Sequence, residues 1–221
     1  MYKNSNISKF RYKLIMYALF LDLFLEGFGQ SLIFPILTRA LLSATNEGLV
    51  QGFSVHQREI LYGIIIGAFY FFWMLGAAIL GDLSDSYGRK RGLIICILGM
   101  IIGNIVTVLA FYLSNVWLIT IGRIIIGFTA GSQAIAQASI VDMSGQKNQA
   151  RNTGWIILAV TLGAITGPVY GQISSDPTIF YLFNEQSPFI GVIFLSLMAM
   201  LILIRPQKGF KPPPFRRVAF S

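Results

Sequence analysis

From Ile60 to Leu113 the chain reads ILYGIIIGAFYFFWMLGAAIL, then GDLSDSYGRKRG, then LIICILGMIIGNIVTVLAFYL. Two apolar runs flank one short polar segment. The hydrocarbon core of a bilayer is about 30 Å thick, so a spanning helix needs roughly 20 apolar residues. Both runs meet that length, and the charges Asp82, Asp85, Arg89, Lys90 and Arg91 are confined between them. This is the pattern of two membrane helices joined by a tight polar connection.

Working outward, four more runs qualify. The six are Leu14–Leu37, Ile60–Leu80, Leu93–Leu113, Val116–Val141, Trp155–Ile173 and Pro188–Ile204. They leave residues 1–13 and 205–221 as polar flanks. Composition agrees: 55% of the 221 residues are apolar and 12% are charged, about half the charged fraction of a soluble domain. A soluble α/β core would need Asn-, Asp- and Lys-rich surfaces that are missing. The expected fold class is an all-α integral membrane protein, a bundle of six transmembrane helices.

The first run follows Lys3, Lys9, Arg11 and Lys13 and could pass for a signal peptide. Its apolar region is too long and no small-residue cleavage site follows, so it reads as a retained helix. The basic residues set orientation. Those four, with Arg89, Lys90, Arg91, Lys147, Arg151, Arg205, Lys208, Lys211, Arg216 and Arg217, fall on one side; only Arg39 and Arg58 fall on the other. Both termini are therefore expected in the cytoplasm, in the inner or plasma membrane. The tail from Arg205, with Pro212, Pro213 and Pro214, reads as a basic, Pro-rich segment against anionic lipid.

The net charge of +8 does not point to nucleic acid, because the basic residues form no single soluble face. Cys96 lies in an apolar run and reads as core filler. His56, the only histidine, lies in a polar loop without a second ligand, so no metal is expected. No nucleophile–histidine pair or phosphate-cradling loop suggests an enzyme, and no cofactor is implied. Small residues recur at four-residue spacing: Gly63/Gly67, Gly99/Gly103, Gly127/Gly131 and Gly163/Gly167/Gly171. In lipid, such spacing lets helix backbones approach closely.

Ionisable residues inside the runs are the candidates for function, since each costs roughly 2.5–3.5 kcal/mol on insertion scales unless it finds a partner or water. Asp22 and Glu26 are spaced i, i+4 and share a helix face that Gln30 continues. Asp22 lies about two turns from the cytoplasmic end and either snorkels to the interface or faces the bundle. Glu26 lies a turn deeper, where a proton-exchanging role is favoured. Arg123, in the fourth run, is permanently charged. It reads either as a static ion pair with a carboxylate of the first helix or as a switch that competes with a proton for it.

The segment Gly81, Leu83, Asp85, Gly88, Arg89, Lys90, with Leu93 after it, resembles the cytoplasmic signature of the major facilitator superfamily; Ser86 stands where an Arg is common. Gly88 allows a positive φ in a tight hairpin. Three more matches follow. Glu26-Gly27-Phe28-Gly29 with Phe34-Pro35 resembles the first helix of drug–proton antiporters of the tetracycline and multidrug efflux type. Arg123-x-x-x-Gly127 resembles the family's fourth-helix arginine motif. Gly163-x-x-x-Gly167-Pro168-x-x-Gly171 resembles the fifth-helix motif of antiporters, with Gln172 departing from the usual Gly. Asp142 and Arg151 resemble the helix 4–5 loop. Pro168 removes one backbone N–H and frees the carbonyl of Ala164, which would bend the fifth helix.

The resemblance covers roughly residues 14–204 and implies the N-terminal six-helix half of a transporter whose two halves enclose the substrate site. It implies a proton-coupled antiporter exporting small drug-like molecules, with proton, substrate and lipid bilayer as partners. Asp85 would normally meet a helix N-terminus of the second half. Here the partner is expected to be another copy or a separately encoded half, unless the chain is a non-transporting remnant or partner-binding membrane protein. The abrupt change after Ile204 and the lack of a long central linker favour the remnant. A sugar or metabolite symporter is a further alternative, against which the fifth-helix motif argues.

Overall fold

A computed structural model describes residues 9–42, 49–144 and 148–204. Lys3, Lys147 and the tail from Arg205 lie outside the described residues. The elements are α1 (Lys9–Ser31), α2 (Ile33–Leu37), a π-helical turn (Thr38–Leu42), α3 (Val55–Tyr87), α4 (Arg89–Tyr112), α5 (Val116–Thr129), α6 (Ser132–Met143), α7 (Gln149–Ser174) and α8 (Ser187–Ile204). They assemble into six helices long and apolar enough to cross a membrane. The first span is α1, α2 and the π-helical turn; the fourth is α5 and α6.

Local chemistry explains the interruptions. Pro35 has no N–H to give the carbonyl of Ser31, and the ladder loosens between α1 and α2. There the Ser31 hydroxyl donates to the carbonyls of Gly27 and Phe28. The second span opens with a capping box in which Ser54 and Gln57 exchange side-chain and backbone hydrogen bonds. His56 consequently lies in the first turn of α3, 3.9 Å from Glu59, and not in a loop. Asn115 caps α5 by accepting from the N–H groups of Trp117 and Leu118.

Several helices outrun their apolar stretches, because polar residues at a membrane surface need not leave the helix. Residues 9–13 already belong to α1, and α3 continues through Asp82–Tyr87. The polar segment after the second span is therefore not a loop. Gly88, with φ +99°, is the single residue linking α3 to α4. At the opposite end, Arg39 donates to the carbonyl of Ser175. Beside it, Thr178 donates its hydroxyl and backbone N–H to Asp176, which holds that carboxyl below its ordinary range.

Packing follows the glycines. α1 lies along α7, α4 lies against both α5 and α8, and α3 lies on α5. The closest seam is backbone on backbone. A Cβ on Gly163 would stand 2.2 Å from the carbonyl oxygen of Phe24, and one on Gly27 would stand 2.5 Å from that of Val160. Gly76 and Gly127 play the same part between α3 and α5, against Phe128 and Phe69. Gly63 and Gly67 differ from the expectation of a packing role: nothing lies within 4 Å of where their Cβ would be. α7 runs on through Pro168 without interruption.

Among the described residues the core has two large apolar layers and a small third cluster of Phe69, Ile126 and Ala130. One gathers Leu32, Ile36, Leu61, Ile65, Ile119 and Phe189; the other gathers Leu19, Leu23, Leu80, Ile97, Ile135 and Leu203. Cys96 belongs to the second and is fully buried. The buried polar residues Asp22, Glu26, Asn104, Arg123 and Ser132 interrupt this apolar interior.

Gly163→Ala should force α1 and α7 apart, because the Cβ meets backbone and not a yielding side chain. A loss of roughly 1–3 kcal/mol or more is expected. Thermal melting of the detergent-solubilised monomer would read it as a lowered midpoint. Gly63→Ala, which enters open space, should leave the midpoint unchanged.

Candidate functional site

Asp22 and Glu26 sit one turn apart on α1 and are buried, 1% and 6% exposed. Their shared face points at the break in the fourth span. The apolar run Val116–Val141 reads as one helix, but the structure divides it at Ala130–Gly131. Thr129 helps end α5 by turning its hydroxyl back onto the carbonyls of Ile125 and Ile126. Ala130 closes the turn with its N–H on Gly127 and Ile126. A new helix then starts at Ser132, so α6 presents a fresh N-terminus inside the bundle.

The carboxylates converge on that N-terminus. The Ser132 hydroxyl donates to Glu26 Oε2 at 2.8 Å, and Gln133 follows it in the first turn of α6 with its N–H on the carbonyl of Ala130. Asp22 lies beside the same hydroxyl. The first N–H groups of a helix lack intrahelical partners and carry the positive end of its dipole, so they favour a carboxylate. One oxygen of each carboxyl, Asp22 Oδ2 and Glu26 Oε1, has no hydrogen-bond partner among the described residues.

Arg123 is placed otherwise than as an ion pair of the first helix. Among the described residues it forms no salt bridge. Its guanidinium lies 4.3 Å from the centroid of the Phe69 ring, and its Nε has no hydrogen-bond partner. The physical reason is the break: the donors that reach Glu26 come from α6, while Arg123 stays on α5 against α3. A cation over an aromatic face is a stabilising arrangement when water is excluded.

Gln30 continues the α1 face and donates to the Tyr70 hydroxyl at 3.1 Å. Glu26, Gln30, Phe69, Met100, Asn104 and Ala130 line a small, partly open cleft. Asn104 is oriented by its amide, which donates to the carbonyl of Met100. The rings of Phe69, Tyr70 and Trp73 on α3 meet edge-on or tilted, and Trp73 donates to the carbonyl of Ala130 at the break.

The signature residues meet at one end of the bundle. Arg89, in the first turn of α4, binds Asp85 at 2.7 Å and Asp142 of α6 at 3.6 Å, with the Ser84 hydroxyl at 3.4 Å. Leu83 packs on the apolar layer beneath, Gly81 faces open space, and Lys90 donates to the carbonyl of Ile204. Gly81, Leu83 and Asp85 thus occupy the last turns of α3. Asp142 and Arg151 likewise belong to α6 and α7 and not to the connection between them, which Asn152 and Ser144 tie together by a hydrogen bond of 2.6 Å. Gly163, Gly167 and Gly171, with Pro168 among them, form the α7 seam against α1 and α2, apart from the carboxylates.

Sequence reasoning missed Ser132, Gln133, Asn104, Tyr70 and Trp73. Gly131-Ser132-Gln133 is a polar interruption of an apolar run, and it carried a readable signal. Tyr70 and Trp73 had none, since aromatic residues in a spanning helix are ordinary.

The chain matches the Major Facilitator Superfamily over residues 16–219. It is 29% identical over 181 residues to the class H tetracycline resistance protein of Pasteurella multocida, covering 81% of this chain and 41% of that protein. With a triacylglyceride transporter of Mycolicibacterium smegmatis it shares 29% over 154 residues, 69% of this chain and 26% of the relative. Its fold is similar to that of a proton:xylose symporter bound to 6-bromo-6-deoxy-D-glucose, with TM-score 0.71 and 17% identity, over 87% of this chain and 44% of that one. The chain spans about two fifths of the tetracycline resistance proteins it matches. On the family match, the six-helix fold and the placement of the signature residues, the chain belongs to the Major Facilitator Superfamily, whose members are transporters rather than enzymes.

Proposed function

We propose that this chain acts in proton-coupled export of small drug-like molecules, as the N-terminal six-helix part of an antiporter. One observation carries the reading: two buried carboxyls lie on one helix face, Glu26 held by the Ser132 hydroxyl beside a small cleft, and each keeps one oxygen unpartnered. Such a pair can take up a proton and release it, which a solvated carboxylate cannot do in step with a moving substrate. Glu26, which touches both the helix end and the pocket, carries the proton. Asp22 sets its charge environment. Gln30 and Asn104 offer polar contacts to a bound molecule, and Arg123 holds positive charge nearby on α5. The names of the tetracycline resistance relatives support efflux. A symporter of sugars would use the same proton chemistry, and the glycine seam of α7 is the feature that favours the antiporter.

The second part of the transporter packs on α3 and α7. Among the spans these are the least covered, with 22% of the apolar window buried in each. Gly63 and Gly67 lie open on α3, and the chain accounts for only 41% of its tetracycline resistance relatives. The occupant is another six-helix unit. On this reading the bundle end that carries Arg89 and its two carboxylates faces inward, where Asp85 can also meet a helix end of that unit.

Proteoliposomes carrying the chain with its partner unit should show efflux of a tetracycline-type probe driven by a pH gradient. Glu26→Gln should reduce it to background without loss of folded protein. Undiminished efflux in the variant would remove Glu26 from the proton path, and no efflux from the unaltered chain would favour a non-transporting, partner-binding role. For the surface, Gly67→Cys in a Cys96→Ala background should cross-link in native membranes to a six-helix partner. Tyr112→Cys, at the exposed end of α4, should not.

A further inference from the structure

The break in the fourth span is held from outside that span. In an unbroken helix the carbonyl of Ala130 would accept from the N–H four residues on. Instead the indole Nε1–H of Trp73 donates to it at 3.1 Å, while Gln133 approaches it only at 3.5 Å. The backbone of α3 is pressed against the same point. A Cβ on Gly76 would stand 1.8 Å from the carbonyl oxygen of Phe128, and one on Gly131 would stand 2.8 Å from that of Gly76. No side chain separates the two helices there, so the indole is set directly over the interruption.

We propose that Trp73 is a positioning residue: its hydrogen bond to Ala130 keeps the fourth span broken, so that the first turn of α6 holds the Ser132 hydroxyl on Glu26. Two facts mark the helix end as a binding position. α6 is twelve residues long, and Glu26, more than nine-tenths buried, reaches Ser132 in its first turn with one oxygen and leaves the other unpartnered, with the equally buried Asp22 one turn away. Trp73 touches neither carboxyl. It acts through the backbone that carries Ser132 and Gln133. The same aromatic face reaches the other polar residues, because Phe69 lies under Arg123 and Tyr70 holds Gln30. α3 therefore links the proton-binding residues to the pocket wall.

The groups that face the carboxyls are known. α1 supplies both of them, α4 brings Cys96 into their field, α5 carries Arg123, and α3 reaches Gln30 with Tyr70. α6 bears Asp142 at its far end, α7 bears Arg151 and Tyr170 near its two ends, and α8 has no ionisable side chain. None of these changes when Trp73→Phe removes only the N–H and keeps an aromatic ring.

The inference rests on the proton-binding reading of Glu26, and the experiment separates the two. The full chain in nanodiscs is titrated while the infrared carboxyl band of Glu26, assigned by its loss in Glu26→Gln, is followed. Trp73→Phe should displace the midpoint of that band by about one pH unit, the scale of a helix end acting on a buried charge. A displaced midpoint supports the inference. An unchanged midpoint in a folded variant overturns it and leaves the proposed function standing. A Glu26 band that does not titrate in the unaltered chain overturns both. Should Trp73→Phe not fold, amide exchange of residues 130–133 in the unaltered chain decides. Intrinsic-rate-corrected protection that changes with the midpoint of the Glu26 band supports the coupling, and pH-independent protection overturns it.

Discussion

Two carboxyl groups are buried in an apolar bundle, and the protein must supply donors for them from within. It does so for Glu26 with Ser132, placed by a break in its own fourth span. By stopping α5 at Thr129 and restarting as α6 at Ser132, that span turns a spanning helix into two pieces. The new N-terminus lies where Asp22 and Glu26 need it. The cost of a charge at membrane depth is several kcal/mol on insertion scales, and irregular backbone at that depth is tolerated only where protein buries it or a cavity meets it. Both conditions hold here: Phe128 and Gly131 press on Gly76, and Ala130 borders the pocket.

The break depends in turn on how closely the helices approach. Apolar surface alone gives no drive for helices to associate in lipid. α1 and α7 meet through Gly27, Gly163 and Gly167, and α3 and α5 meet through Gly76 and Gly127. These are contacts of backbone against backbone, so a methyl group has nowhere to go. They define a rigid frame on which the carboxyls of α1 and the N–H groups of α6 keep fixed relative positions. Gly63 and Gly67 have the same spacing but no neighbour in this chain. The face they occupy is thus the one on which a second unit is proposed to pack.

At the bundle end that carries the signature, the arrangement is electrostatic. Arg89 is held between Asp85 on α3 and Asp142 on α6. Gly88 makes this possible, because its positive φ reverses the chain in one residue and places the first turn of α4 beside the last turn of α3. The ion-pair cluster ties the second span to the later piece of the fourth. That is the piece whose other end faces Glu26, so the two polar regions share one short helix.

Much of this was legible in the residues themselves. Six apolar runs of membrane-spanning length set the number of spans, since chain length and bilayer thickness leave few alternatives. The i, i+4 spacing of Asp22 and Glu26 put them on one face, because helix periodicity is local. The run from Gly81 to Lys90 marked the tight connection between two spans. What only the tertiary structure decided is what each buried charge meets. Arg123 was the obvious partner for the carboxyls by sign of charge, yet the fold gives it the face of Phe69 and gives Glu26 the Ser132 hydroxyl. A helix break in an apolar run depends on long-range contacts such as Trp73 to Ala130 and Gly76 to Phe128. Local pattern determines which residues share a helix face; packing between distant helices determines what that face sees.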